Sequence, residues 1–478
     1  MAQDIVARGM AGRALGLGSG RVLQSISIPS GLTWDQANFP LTVSLYDSPA
    51  AKCGVVSYDP TTHPDYVACK AATPIYVATT GNDTTGNGTS GAPYAGIRKA
   101  VQVANAAERP AYIKVAAGTY AYAQSFDGST AQPAVPTLFE AYNGRVYATT
   151  RSGALTFTND ATFTNTYTYT DPSPVTARIF DRQRVGPDGG YLELTNVATA
   201  AICNATPNSW AVVAGTVYVH RADGTAPTSS NTYAYLATGN FRASAATQVS
   251  LFLMGATSVD GFDVEGGNTS PFRAVYSSTA SGTKRILYAK NCSFRYGGTS
   301  GVVANGVSVD GLYGLAMFDG CDASFNNADG FNFHDAIVGG TYALTVNCSG
   351  TGAGAGFLTS TSNNGWTSHD AVVGVDVAGR YRMGKGASVH SINTAKTLCV
   401  GTLAEASRGD KMAGGGFEPT EFKTSDTAKM WLDRVEAQPA SASAYAIYAG
   451  DTSAIYTRNV WPGRGGRAAD ASATMTTY

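Results

Sequence analysis

The feature of this sequence that most limits its fold is a repeat of 27 to 30 residues that begins near residue 249. The three clearest copies are segments 286–292, 315–321 and 342–348. Each copy has apolar residues two positions apart and ends in a cysteine, which is Cys292, Cys321 or Cys348. Phe262 occupies the cysteine position one repeat earlier, and Val375 occupies it one repeat later. A strand-rich repeat of this length predicts a solenoid.

Side-chain alternation explains why such repeats must stack. In a strand, every second side chain points to the same face, so each coil has an inward set that it cannot bury alone. Equivalent positions of successive coils then form columns along a shared core. We therefore expect an all-β parallel β-helix in which the three cysteines are packing residues rather than catalytic or redox groups. Beyond Val375, Cys399 or Val400 is expected as the next member of the column, before a strand around Trp431.

The sequence outside and within the repeat divides into six parts. They are a helical attachment segment (1–22), a small β-rich unit (23–73), a module that opens the β-helix and includes a capping helix (74–131), an irregular β-rich region of first coils or insertion (132–248), the β-helix core (249–460) and a C-terminal tail (461–478). Within the opening module, residues 75–77 form a strand and Pro93 begins a helix, since its fixed φ suits a first turn. The tail cannot form a core of its own, so we expect it to be disordered or packed along a neighbouring chain.

Composition and charge exclude several classes of protein. Charged residues make up 14% of the chain, against about 25% in a typical protein, and the net charge is −1. This disfavours nucleic-acid binding, which needs clustered Lys and Arg. Seven widely spaced cysteines without a CxxC motif indicate neither a disulfide framework nor a zinc site, and we expect no metal or other cofactor. No apolar run reaches the ~18 residues of a membrane-spanning helix, and charges interrupt the first 20 residues as they would not in a secretory signal.

Three segments near the start of the coils carry a resemblance to a known group. Residues 76–83, 93–97 and 117–120, together with the later coils, resemble the right-handed parallel β-helix, or pectin-lyase-like, proteins. This group includes pectate lyases, glycosidases, epimerases and bacteriophage tailspikes. The resemblance implies that the helix of the opening module closes the N-terminal end of the solenoid, where core and strand edges would otherwise be exposed.

The regions ahead of the coils resemble the tailspike branch of that group. A helical start and a small β-rich unit precede the coils, as the particle-attachment region does in tailspikes, and no secretory signal is predicted. The resemblance implies a homotrimer that folds in the host cytoplasm, attaches through its N-terminus to a phage tail or baseplate protein, and acts outside the cell as part of the virion. Its expected partner is a bacterial surface polysaccharide, with no nucleic acid and no membrane insertion.

Two matching turns carry the sharpest local pattern, since both read His-Asp-Ala and they lie 35 residues apart. The candidate catalytic residues in and around them are His334, Asp335, His369, Asp370, Asp329 and Arg380. A glycosidase uses two carboxyls, for which Asp329, Asp335 and Asp370 are candidates. A lyase uses a base and a cation, for which His334 or His369 with Arg380 would serve. The alternative is structural, because His-Asp pairs in turns often bond to neighbouring backbone and fix a corner.

A second set of residues is predicted to bind carbohydrate. Its members are Trp366, Asp319, Asp322 and Arg382. An exposed Trp366 would offer a flat face to a sugar ring. Alternation places Asp322 outward beside the buried cysteine column. A further acidic cluster, formed by Asp260, Asp263 and Glu265, is interpreted as a solvated coil edge rather than a site.

Three functions remain open from the sequence. The first is a tailspike-like receptor-binding protein that binds a cell-surface polysaccharide, with or without depolymerising it. The second is a stand-alone polysaccharide lyase or glycoside hydrolase, and the third is a purely structural component of the virion tail. The pattern does not say which polysaccharide is recognised or whether it is cleaved, because one fold supports many activities.

Overall fold

The computed structural model contains a three-sided β-helix, an N-terminal unit and an insertion. It describes residues 23–48, 51–126, 131–153, 155–186, 188–243, 246–277, 282–299, 302–335, 340–354, 363–408, 419–440, 444–463 and 465–478. The predicted attachment segment, residues 1–22, lies outside the described residues. Each coil contributes one strand in turn to three parallel sheets, which we call faces A, B and C. The predicted fold class is therefore confirmed.

Face A is the longest of the three sheets, and its strands pair in parallel from coil to coil. They are Ile75–Val77, Ala111–Tyr120, Thr137–Thr149, Leu251–Gly255, Arg285–Lys290, Gly314–Asp319, Thr341–Val346, Val373–Val377, Lys396–Val400, Lys429–Asp433, Ala454–Arg458 and Thr474–Thr477. The strand Thr137–Thr149 turns the corner of the helix, because its first part pairs with Leu251–Gly255 and its last part pairs with Gly261–Glu265.

Faces B and C complete each coil. Face B consists of the end of Thr137–Thr149 and of the strands Gly261–Glu265, Ser293–Arg295, Ser349–Thr351, Arg380–Arg382, Leu403–Glu405 and Glu436–Gln438. Face C consists of Phe241–Arg242, Phe272–Val275, Val307–Asp310, Phe331–His334, Trp366–Ser368, Val389–Ser391, Thr420–Thr424, Tyr445–Ala449 and Gly466–Ala469. Phe241 begins a column of large, buried side chains along the inner side of face C, which continues through Phe272 to Ile447.

The cysteine column predicted from the repeat is present in the core. Ser293 pairs with Asp322, and Asp322 pairs with Ser349, so the cysteine one residue earlier in each coil occupies the same position. Cys292, Cys321 and Cys348 are all buried. The sulfhydryl of Cys321 donates to the carbonyl oxygen of Ala289 in the preceding coil at 3.3 Å. The cysteines therefore pack along the axis.

The extension of this column beyond Cys348 was predicted wrongly. Val375 pairs with Leu344 and Cys399 pairs with Asp376, so both residues lie in strands of face A and not in the cysteine column. The residue that follows Cys348 in the column is Gly379, because Ser349 pairs with Arg380. This coil is longer than the preceding coils, so a step of 27 residues ends on face A, before the corner.

The N-terminal unit lies beside the coils and covers the outer side of face A. Its elements are the strands Leu23–Ile26, Val43–Ser48 and Ala51–Val56, the short 3₁₀ helices Ser30–Leu32 and Pro60–Thr62, and the helix Pro64–Ala71. Buried apolar side chains of the unit, such as Leu32 and Leu45, form one core with Leu344 and Leu398 of face A. Burial of apolar area on both sides of face A is what holds the unit in place.

The opening module contains the predicted helix, but the helix begins later than Pro93. It spans Ile97–Ala106 and packs its buried side chains against the first coils. Tyr94 exchanges backbone hydrogen bonds with Tyr76 and Ala78, so Pro93 belongs to an extended segment beside the first strand. The role of this helix as a cap stays a prediction. The helices in the described part of the chain are too short or too polar to cross a bilayer.

An antiparallel insertion interrupts the first coil between Thr149 and Phe241. It contains the helix Ala200–Ala205 and the strands Thr158–Asn159, Tyr167–Thr170, Thr176–Val185, Tyr191–Glu193, Thr195–Asn196, Ser209–Val213, Thr216–His220 and Thr232–Leu236. The irregular region predicted at 132–248 therefore combines a true coil strand with this insertion.

The C-terminal tail differs from expectation. Its strands Gly466–Ala469 and Thr474–Thr477 pair with the preceding coil and form the last rung of the helix. Met475 packs against the core. In the segment Thr474–Thr477 side chains alternate between the two faces of the strand, so Met475 points inward while its threonine neighbours point outward.

Candidate functional site

The two His-Asp turns lie on adjacent coils of face C. Phe331 pairs with Trp366, and the same register brings His334 opposite His369. The two imidazole rings stack with their centroids 3.9 Å apart and an interplanar angle of 7°. Burial and the neighbouring His334 lower the pKa of His369 to about 4. His369 is therefore neutral at physiological pH and is a weak base.

Asp370 belongs to a ladder of turn residues at the corner after face C. It has a positive φ of 58°, and its carboxylate oxygen lies 3.2 Å from the Nδ1 of His334. The Asp370 amide donates to the Oδ1 of Asn393 at 3.3 Å, and the Asn393 amide donates to the Oδ2 of Asp426 at 2.9 Å. The Asp426 amide donates in turn to the Oδ2 of Asp451 at 2.9 Å. Each side chain thus accepts from the backbone of the coil before it, which is the structural alternative to catalysis.

The other two carboxylates of this group are buried and hold the backbone. Asp329 accepts from the Asn364 amide at 2.7 Å and from the Asn332 side chain at 2.6 Å. Asp335 accepts from the Gly340 amide at 2.7 Å. Their exposed fractions are 0% and 4%, so neither carboxylate is presented to a sugar. The predicted glycosidase pair is therefore not assembled on face C.

Two of the predicted carbohydrate-binding residues, Trp366 and Asp319, lie on faces C and A, respectively. Trp366 has an exposed fraction of 0%, and its indole packs against Phe333 with ring centroids 5.5 Å apart. The expectation of an exposed flat face at Trp366 is therefore wrong, because this position belongs to the inward column of face C. Asp319 ends a strand of face A beside Lys290, with 3.4 Å between its carboxylate and the Nζ, and burial raises its pKa.

The remaining predicted residues, Asp322, Arg380 and Arg382, all project from face B. The Nε of Arg295 donates to Asp322 at 2.6 Å. Arg380 contacts Glu405 at 2.8 Å, and Arg382 lies 3.7 Å from the same carboxylate. Face B therefore presents a row of carboxylates and guanidiniums that pair between adjacent coils, interrupted by the uncharged strand Ser349–Thr351.

The row begins with two carboxylates, Asp263 and Glu265, that were not predicted to form a site. Phe262 and Val264 point inward and are fully buried, so alternation directs both acids outward on the same side of one strand. Arg145 donates two hydrogen bonds to the Asp263 carboxylate, from its Nε at 2.6 Å and from its Nη2 at 2.8 Å.

The pKa values of these two acids are shifted in opposite directions. Burial opposes ionisation of Asp263, but the hydrogen bonds and charge of Arg145 bring its pKa below the ordinary value. Burial and the charge of Asp263 raise the pKa of Glu265. Pairs of carboxyls with diverging pKa values are typical of acid–base sites.

The insertion provides an aromatic wall beside Glu265. The hydroxyl of Tyr235 donates to Glu265 at 3.0 Å. Tyr296 stacks on Tyr191 of the insertion, with centroids 5.2 Å apart and an angle of 16°. The guanidinium of Arg182 lies 4.0 Å from the ring centre of Tyr233. We call the surface formed by the face B row and this wall the face B groove.

The sequence predicts that Asp263 and Glu265 point outward, but it does not predict that the insertion lies over Glu265. The alternation Phe-Asp-Val-Glu at 262–265 already directs both acids outward. The environment of Glu265 depends on Tyr235 and Tyr191, whose approach is a tertiary contact of the insertion with no local pattern. The interpretation as a solvated edge was wrong for Asp263, which is 9% exposed, and for Asp260, which is buried and caps a turn by accepting from the Gly144 amide.

A separate cleft of about 390 Å³ lies within and beside the insertion. Its lining residues are Thr176, Ala177, Asn196, Val197, Ala198, Trp210, Val212, Ala237 and Thr299. None of them is an acid or a base, so this cleft carries no acid–base chemistry.

No protein-family model matches this sequence, and it matches no curated protein. A solved structure described as the complex of XylC with xylose is similar in fold, with a TM-score of 0.50, 11% identity and coverage of 83% of this chain and 70% of that one. A glycoside hydrolase gives a TM-score of 0.45 at 10% identity over 85% of this chain and 96% of that one. The Gp54 tailspike of Acinetobacter baumannii bacteriophage AP22, in complex with capsular saccharide, gives 0.27 at 10% identity over 79% and 65%. At such identities the likeness concerns the fold alone.

Proposed function

We propose that this protein binds a bacterial surface polysaccharide in the face B groove and hydrolyses it there. The observation that carries the proposal is the placement of Asp263 and Glu265 on one side of a strand, beneath the tyrosines of the insertion. The ring faces of Tyr235 and Tyr296 are buried and shield Glu265 from water, while the carboxylates and guanidiniums of face B suit sugar hydroxyls. The low content of charged residues, 14% of the chain, is compatible with such a ligand.

In the proposed reaction, Glu265 is the general acid and Asp263 is the ionised partner. Residues two apart on a strand are separated by about 6.6 Å along it, which resembles the carboxyl spacing of ~6.5–9.5 Å in inverting glycosidases. Glu265 donates its proton to the glycosidic oxygen as the bond from that oxygen to the anomeric carbon breaks. A water molecule attacks the anomeric carbon and gives its proton to Asp263. The raised pKa of Glu265 favours its protonated form, as an acid requires, and the lowered pKa of Asp263 favours its ionised form, as a base requires.

The decisive experiment measures chain length of candidate host capsular polysaccharides after incubation with Glu265→Gln. We expect the rate of cleavage to fall by at least about a hundredfold, which is the usual contribution of a general acid. The matched control is Asp451→Asn, an exposed acid at the corner after face C, which should retain activity. Unchanged activity of a folded Glu265→Gln would overturn the assignment.

Arg380 and Arg382 are proposed to bind the polymer without taking part in proton transfer. Their guanidiniums lie several coils from Glu265 on the same face. Arg380→Ala should therefore raise KM by about tenfold and leave kcat nearly unchanged, since uniform binding energy is lost. A fall in kcat alone would contradict this role.

We also propose, from the resemblance described above, that the protein acts in a phage virion as a homotrimer attached to the tail through its N-terminus. The predicted partner is a tail or baseplate protein, and the site of action is outside the host cell. Light scattering coupled to size-exclusion chromatography should return three chains per particle. A monomer that cleaves the polymer would favour the stand-alone enzyme, and a trimer that binds no glycan would favour the structural component.

A further inference from the structure

Two arginines face each other on the outer side of face C. Arg242 pairs with Arg273 in adjacent parallel strands. The residues before them, Phe241 and Phe272, stack inside the core with centroids 4.9 Å apart, so alternation directs both arginines outward. Paired positions in neighbouring strands are about 4.8 Å apart, and both arginines are partly buried.

This arrangement is unfavourable unless a negative charge lies between the guanidiniums. Like charges that are directly opposite in a sheet destabilise it, and partial burial strengthens the repulsion. Burial and the charge of Arg242 lower the pKa of Arg273, against the weaker opposing effect of Asp310. An arginine cannot relieve such repulsion by losing its proton at neutral pH.

Asp310 is the described carboxylate whose charge acts on Arg273, and it does not offset the lowering of the Arg273 pKa by burial and Arg242. The arginines of face B discussed above, by contrast, each have a carboxylate within 4.0 Å, as Arg145, Arg295 and Arg380 do. Neither Arg242 nor Arg273 forms an ion pair or a side-chain hydrogen bond with the described part of the chain. The next residue along this outward column is Ser308, whose side chain is short and uncharged.

We propose that Arg242 and Arg273 form an oxyanion site that binds an acidic substituent of the surface glycan. The ligand group is a carboxylate, a phosphate or a sulfate ester, because planar guanidinium forks match the oxygen geometry of all three. The site lies on face C, apart from the face B groove. It adds a class of ligand, an anionic polymer, to the proposed function and rests on that function for its natural source.

The first experiment tests the site without any glycan. The midpoint of thermal unfolding is measured in sodium chloride and in sodium sulfate at equal ionic strength, for the wild type, Arg242→Gln, Arg273→Gln and the control Arg467→Gln, an exposed arginine on the last strand of face C. Sulfate should raise the midpoint of the wild type and of the control. In either Gln variant the half-saturating sulfate concentration should be at least about tenfold higher, since a charge-assisted hydrogen bond is lost.

The thermal midpoint in sodium chloride alone distinguishes an anion-binding role of the two arginines from a role in packing. Because each Gln variant removes one of two repelling charges, it should be at least as stable as the wild type without sulfate. A variant that is destabilised equally in both salts would show that the arginines serve packing, and the proposal would be overturned.

The second experiment identifies the source of the anion and uses an acidic capsular polysaccharide and the same polymer after chemical reduction of its carboxyl groups. Wild-type protein should bind the acidic polymer at least about tenfold more tightly, and Arg273→Gln should bind both forms equally. Equal binding of both forms by the wild type would overturn the glycan assignment. If Arg273→Gln still cleaves the polymer with unchanged preference, this inference fails while the proposed function stands. If sulfate raises the thermal midpoint through these arginines but the protein binds no glycan, the proposed function is wrong.

Discussion

Glu421 is a buried carboxyl with an unusual titration. It accepts from the hydroxyl of Ser407 at 3.0 Å, and also from the hydroxyl of Ser388. Burial raises its pKa from 4.5 to about 7, although these hydrogen bonds oppose the shift. Because the folded pKa exceeds the unfolded one, its contribution to stability is fully present below pH 4.5 and is lost as the pH rises to about 7.

We predict that Glu421→Gln removes this pH dependence. Between pH 4.5 and 7 the wild type should lose about 3 kcal/mol of unfolding free energy through this group, as the shift implies. The difference between variant and wild type, measured by urea unfolding at pH 5 and pH 8, should favour the variant more at pH 8. A difference that is independent of pH would contradict the assigned titration.

The burial of Trp366 gives a second prediction for a single residue. Trp366→Ala should lower the unfolding free energy by about 3–5 kcal/mol, because a large core side chain is lost. The control is Trp461→Ala, since Trp461 is 56% exposed and should contribute within about 0.5 kcal/mol. Equal effects of the two changes in urea unfolding would mean that Trp366 is not in the core column.

At the scale of elements, the last rung is the part of the helix most open to test. Removal of residues 474–478 exposes Ile455, which is fully buried and pairs with Met475. We expect a loss of about 2 kcal/mol, in line with the exposure of one large apolar side chain. Removal of Tyr478 alone is the control and should have little effect. If both truncations melt like the full chain, the tail does not pack on the last coil, and the two alternatives predicted from the sequence, a disordered tail or one packed along a neighbouring chain, stand instead.

Elements with strict alternation were predictable, and elements defined by tertiary contacts were not. The segments 286–292, 315–321 and 342–348 pair in the predicted register because their inward positions repeat without interruption. The helix was predicted to begin at Pro93, and this was wrong because a proline also suits an extended segment. Tyr94 hydrogen-bonds to the first strand, so Pro93 lies in such a segment. The environment of Glu265 depends on an insertion that no periodic pattern announces.

For the whole molecule, the N-terminal unit acts as a cover for face A. Gly54 lies so close to this face that an added Cβ would be 2.4 Å from the Cγ1 of Val377. Gly54→Ala should therefore cost about 1–3 kcal/mol by overpacking and should speed proteolysis of residues 23–73. Gly91→Ala is the matched control, since nothing lies within 4 Å of its Cβ position. Equal proteolysis of both variants would mean that the unit is not seated on face A.

The cover also fixes an order of events during synthesis. The Nζ of Lys52 donates to the carbonyl oxygen of Arg434 at 2.6 Å, although these residues are 382 positions apart in the chain. At typical translation speeds, the early strands wait roughly 20 to 80 s before that coil leaves the ribosome. Nascent chains must therefore hold these first strands without their partners on face A until the later coils have been made, and products that end before those coils lack the partners.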